Sequence, residues 1–182
     1  RFHRDPVPPR GFRVLSASAT VGILIAMRSE DDTHCFVVFR GTRPSSIDDI
    51  VSDVAIARGK LSFSNRAQKC REFLTSWTVP DGVTRITFTG HSLGGSLAIE
   101  LLNNAFCLPR FRPFGLAAIV FNPGWKKMTR HYKLSDPSFF HAVSIYRISG
   151  DLVSAALLRS RFNDYGRVTT IQFAQNLKPL TA

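Results

Sequence analysis

Cysteine is scarce in this chain, and acidic residues are outnumbered. Cys35, Cys70 and Cys107 are the three cysteines in 182 residues, odd in number and widely spaced. That count argues against a disulfide framework, and no two of them stand at metal-ligand spacing. They read as reduced, mostly buried thiols, which is compatible with a reducing compartment. No apolar run approaches the roughly 20 residues a membrane-spanning helix needs. The longest semi-apolar stretch, Val14–Met27, is broken by Ser16, Ser18, Thr20 and Gly22. Neither an Asn-x-Ser/Thr acceptor nor a secretory signal pattern is present, and the chain opens on Arg1. Such an opening is expected of a processed or partial product, with any targeting segment out of view.

What is abundant is positive charge: 24 Lys+Arg against 13 Asp+Glu, a net +11. The surplus favours anionic partners such as lipid head groups, nucleic acid or an acidic protein surface. The basic residues are scattered, however, with only small clusters at Lys126-Lys127 and Arg159-Arg161. Neither a base-reading helix nor an aromatic-basic platform is visible, so a specific nucleic-acid function is not expected. A hydrophobic fraction of 44% and a charged fraction of 20% suit one globular domain.

Residues 1–13 hold four arginines and three prolines and read as a basic arm. Residues 14–182 read as a single domain. Val14–Met27 and Cys35–Arg40 are β-branched and apolar around a polar Ser29–Asp32 turn, the pattern of a hairpin or of neighbouring strands. Ser46–Ala57 spaces Ile47, Ile50, Val51 and Val54 helically behind a serine. Asn65–Trp77 places Ala67, Cys70, Phe73, Leu74 and Trp77 on one helical face. Further strands are expected at Arg85–Thr89, Leu116–Phe121, Val143–Ile148 and Val168–Phe173, with an apolar helix running from the Gly90–Gly95 turn through Ala105. Short apolar strands alternating with helical patterns predict an α/β protein with a mostly parallel central sheet and helices on both faces.

The motifs fall at the carboxyl ends of these strands, where open α/β sheets place their sites. Gly90-His91-Ser92-Leu93-Gly94 is G-x-S-x-G between a strand (RITFT) and a helix (SLAIELLNNAF). A strand-to-helix turn this sharp needs small residues on both sides of the serine, because side chains at positions 90 and 94 would meet backbone. The serine hydroxyl then stands exposed at a helix N-terminus, beside the Leu93 N–H. A glycine-serine turn without chemistry is the alternative for the pentapeptide taken alone.

FTGHSLGGSLA, the upstream VVFRGT and the downstream FNPG and GDLVS together resemble the class 3 (fungal-type) lipases. The resemblance runs from about Cys35 to Val153. It implies an α/β-hydrolase fold and hydrolysis of lipid esters through a Ser-Asp-His triad, with no metal or cofactor. It assigns Ser92 as nucleophile and Leu93 and Thr42 as oxyanion donors. Asp151, after VSIYRI, stands where the family carries its triad acid. The Ser46–Ala57 helix falls where the family carries its lid; Asp48 and Asp49 read as solvated there, and Asp53 as structural. Asp136 and Asp164 lie in loops without such a setting.

The triad order in this fold is serine, acid, then histidine. His3, His34, His91, His131 and His141 all precede Asp151. His91 adjoins Ser92 with its side chain expected to point away, and His131 or His141 would need a rearranged fold. One expectation is a histidine on a segment beyond Ala182. The other is a degenerate triad, the domain then serving as a structural or binding subunit of a larger assembly. Lipid esters or a lipid interface are the expected partners in the first case.

Overall fold

The computed structural model describes residues 9–42, 64–123, 139–148 and 167–171. Its frame is a seven-stranded sheet in sequence order: β1 (Phe12–Ser18), β2 (Ile23–Arg28), β3 (Asp31–Phe39), β4 (Arg85–His91), β5 (Gly115–Phe121), β6 (Val143–Ile148) and β7 (Arg167–Ile171). The first three form an antiparallel meander, and β3 to β7 pair in parallel. The expected α/β character and predominance of parallel pairing are therefore present, in a mixed sheet.

Alternating burial along the strands sets the register. One row crosses the sheet as Ile25, Val37, Phe88, Ala118 and Val143; the next runs Ile23, Phe39, Gly90, Val120 and Ile145. All ten are buried. Because the side-chain period of a strand is two, a slip of one residue would turn both rows outward, so this core specifies the pairing.

Helix α1 (Asn65–Ser76) starts at Ser64, whose Oγ accepts from the Ala67 N–H at 3.2 Å, an N-cap bond. Its apolar stripe carries Ala67, Cys70 and Leu74 into the core. Helix α2 (Leu93–Cys107) is apolar almost all round: Leu93, Leu97, Ala98, Ile99, Leu101, Leu102 and Ala105 are buried. Such a helix belongs inside the fold. It lies across β3, β4 and β5, with α1 packed on it. The Pro109–Phe111 turn follows, and Arg110 ties it to α1 by donating to the carbonyls of Thr75 and Trp77.

A short helix, α3 (Phe139–Ala142), leads into β6 and stacks the Phe139 ring edge-on to Phe106 of α2. Strands that advance in one direction, joined by right-handed crossovers, put their helices on a single face. α2 and its contacts α1 and α3 accordingly sit on one side of the sheet. The helices expected on the second face are not among the described residues. There Ile119 and Phe121 remain 37% and 44% exposed.

Several boundaries differ from expectation. The sheet starts at Phe12, inside the span read as an arm, because Phe12 pairs with Arg28 and packs edge-on against Phe36. The polar turn shrinks to Ser29-Glu30, since Asp31 already pairs with Arg28. β4 runs on to His91 and α2 to Cys107. The Ser46–Ala57 helix, with Asp48, Asp49 and Asp53, lies outside the described residues. Cys35 and Cys70 are buried free thiols, as expected, while Cys107 is exposed.

Candidate active site

The sharpest backbone feature is the junction of β4 and α2. Ser92 caps α2 at φ 54° and ψ −125°, outside the regions favoured by L residues. Such a conformation costs on the order of 1–3 kcal/mol and persists only where its surroundings impose it. The surroundings here are specific. The Ser92 N–H donates to Phe121 O at 3.0 Å, carrying the β4–β5 ladder one residue past His91, and Ser92 O accepts from the Ser96 N–H at 3.1 Å.

The flanking glycines are required by contact. A Cβ on Gly90 would fall 2.5 Å from Gly94 O and 2.8 Å from Phe39 O. One on Gly94 would overlap Phe39 O and stand 2.9 Å from Arg40 O. Gly95 is tight as well, with Gly90 O at 3.1 Å and the Pro123 side chain at 3.2 Å. The expected collision of side chains with backbone at positions 90 and 94 is thus a property of this turn.

These contacts also bring the end of β3 onto the elements around Ser92. The Phe39 and Arg40 carbonyls face Gly94, and a Cβ on Gly41 would lie 3.1 Å from His91 O. Residues 39–41 are therefore pressed against the strand-to-helix turn, and Thr42, half-buried, comes next along the chain. Leu93 is fully buried, so its side chain belongs to the core and its N–H to the first turn of α2. Asn122, directly after β5, is buried with φ 43° and donates its N–H to Tyr146 O at 2.8 Å.

Sequence reading did not single out two buried cations. Arg66, near the start of α1, is 3% exposed and donates to Arg40 O and Gly41 O at 2.5 and 3.5 Å. Arg147, on β6, is 5% exposed, and burial holds it below the ordinary arginine range. For Arg66 a signal was present: it shares the i, i+4, i+8 stripe of Cys70 and Leu74, where an arginine is out of keeping with an apolar face. For Arg147 the alternation Val143, Ile145, Arg147 points the same way.

Asp151 and His131 lie outside the described residues; of the predicted site residues the structure places Ser92, Leu93 and Thr42. His91 is exposed beside Ser92. His34 contacts Thr87 Oγ1 at 2.8 Å, and its protonation is disfavoured by burial first and by Arg85 second. It pairs with Arg85, at the opposite end of β4 from Ser92, roughly 20 Å away at strand rise. His141 precedes β6, also toward the amino ends of the strands. Among the described residues no three His, Cys, Asp or Glu side chains converge as a metal site.

The chain is similar to the crystal structure of M37 lipase, with a TM-score of 0.44 and 14% identity, over 75% of this chain and 51% of that one. It thus spans about half the length of that lipase. No protein-family model and no curated protein sequence matches it.

Proposed function

We propose that the chain carries the core of an α/β-hydrolase of the class 3 lipase type, a serine hydrolase of lipid esters such as acylglycerols or phospholipids. One observation carries this reading: Ser92 is held at a strained φ of 54° on a strand-to-helix turn whose flanking glycines admit no side chain. This geometry supports reading the turn as a nucleophile elbow, which would raise the serine hydroxyl at a helix N-terminus.

In this reading the Ser92 Oγ adds to the ester carbonyl carbon and gives its proton to an imidazole base. The oxyanion is held by the N–H groups of Leu93 and Thr42, each such donor being worth roughly 3 kcal/mol in the transition state. The bond to the alcohol breaks, and the alcohol leaves with the proton. Water then adds to the acyl-enzyme, releasing the carboxylic acid and restoring Ser92. In this reading Asp151 orients the imidazole base, and the net charge of +11 favours docking on anionic lipid surfaces. No helix among the described residues is long and apolar enough to cross a membrane.

A second reading is favoured by one fact, that all five histidines precede Asp151. In that case the fold serves as a catalytically silent subunit of a larger assembly. Labelling with a fluorophosphonate, followed by mass spectrometry, decides between them. Time courses should be taken on this chain, on any longer natural product containing it, and on Ser92→Ala in each. Modification at Ser92, absent from Ser92→Ala, supports the hydrolase. Folded proteins that never label support the silent subunit.

A further inference from the structure

Arg66 stands on the apolar stripe of α1 yet reaches away from the core toward the end of β3. A buried guanidinium is costly unless its N–H groups find acceptors. Here Nη2 donates to Arg40 O at 2.5 Å and Nη1 to Gly41 O at 3.5 Å. Room for the side chain comes from Gly22, where a Cβ would lie 2.9 Å from Arg66 Nη2 and 3.1 Å from Arg40 Cζ.

The Gly41 acceptor matters most. Gly41 C=O and Thr42 N–H belong to one planar trans peptide and point in opposite directions. A donor fixed on the oxygen therefore fixes the direction of the N–H. A charged donor on the carbonyl also polarises the peptide, making its N–H a better donor in turn. The same residue clamps the preceding carbonyl of Arg40, which lies against Gly94 at the start of α2. One side chain thus holds two successive peptides of the β3 end beside the Ser92 turn.

We propose that Arg66 is a positioning residue that sets the orientation and donor strength of the Thr42 N–H, and with it half of the oxyanion site. The inference rests on the serine-hydrolase reading above. A residue acting this way contacts no substrate, and its loss costs rate without costing reagent binding. Removing an oxyanion donor outright typically costs about a hundredfold or more, so misorienting one should cost about tenfold to a hundredfold.

The test compares the natural protein with Arg66→Met and Arg66→Lys. Two quantities are measured: the rate of Ser92 modification by a fluorophosphonate across reagent concentrations, and the Thr42 amide resonance in ¹⁵N-labelled protein. The expected result is a slower maximal rate in Arg66→Met, by about tenfold to a hundredfold, with an unchanged half-saturating concentration and a displaced Thr42 resonance. Arg66→Lys, which keeps a charged donor, should recover most of the rate. A folded Arg66→Met that labels at the natural rate with Thr42 unmoved overturns the inference. Should Arg66→Met fail to fold, Arg66→Gln takes its place, judged by the same two outcomes. If Ser92 of the natural protein never labels, the hydrolase reading falls and takes the oxyanion role with it. That outcome is distinct from a reactive Ser92 indifferent to Arg66.

Discussion

The Ser92 N–H donates to Phe121 O at 3.0 Å, so the residue that leaves the sheet to start α2 is still tied to the end of the next strand. The bond closes a geometry in which β4 cannot continue and α2 cannot start earlier. Strain at Ser92 is balanced by the packing of two glycine backbones against the end of β3.

Gly94→Ala should destabilise the fold by about 3 kcal/mol or more, because its Cβ would overlap Phe39 O and the strand ends cannot separate without breaking the β3–β4 ladder. Gly82→Ala is the control. Gly82 has φ +81° but open space around it, so the cost there should be only the left-handed backbone penalty of about 1–2 kcal/mol. Urea unfolding of the two variants should separate them clearly; equal losses would mean that Gly94 is not sterically required.

Replacing Ser92 itself should act in the opposite direction. Ser92→Gly should gain about 1 kcal/mol over Ser92→Ala, since glycine relieves the positive φ and alanine does not. Both variants lack the hydroxyl, so the difference in melting temperature isolates backbone strain. An alanine variant as stable as the glycine variant would show that Ser92 stores none.

Glu100 on α2 predicts a pH dependence. Burial pushes its carboxyl from 4.5 up to about 7, opposed by a hydrogen bond from Asn104 and by Arg71 of α1 at 3.7 Å. The folded state thus prefers the protonated form. Stability on this account is greatest below pH 4.5, falls as pH rises toward 7, and levels off above it. The gap is worth about 3 kcal/mol. Glu100→Gln should remove that slope and be the more stable protein at pH 8. Denaturation midpoints of both proteins from pH 5 to 8 test this, and parallel curves would exclude a buried, protonated Glu100.

The cysteines should separate cleanly by reactivity. Cys107 is exposed, while Cys35 and Cys70 are buried, and burial pushes the Cys35 thiol up to about 11. Iodoacetamide at pH 8 should alkylate Cys107 alone in the native protein and all three after unfolding. Peptide mapping reads the sites directly, and native modification of Cys35 would show that β3 opens.

Much of this protein was legible as local pattern. Alternation in CFVVF and ITF, the helical stripe Ala67–Cys70–Leu74, and glycines on both sides of Ser92 are short-range signals, and the elements stand close to where those signals put them. Phe12 belongs to β1 and not to an arm, because its strand partner, Arg28, lies across a turn, and no local cue announces that pairing.

What tertiary structure alone decided is of another kind. The sequential order of strands β3 to β7 put α1 and α2 on the same face, and no periodicity within one helix carries that information. The carbonyls of Phe39 and Arg40 meet Gly90 and Gly94 only because β3 and β4 pair in register, with Phe39 opposite Gly90. Arg66 stands out on a stripe in the sequence, but its acceptors, some 25 residues earlier, are reached through folding. Patterning selects elements because side-chain burial repeats with the local backbone; it leaves open which distant carbonyl a buried cation will find, because that depends on how the elements close on one another.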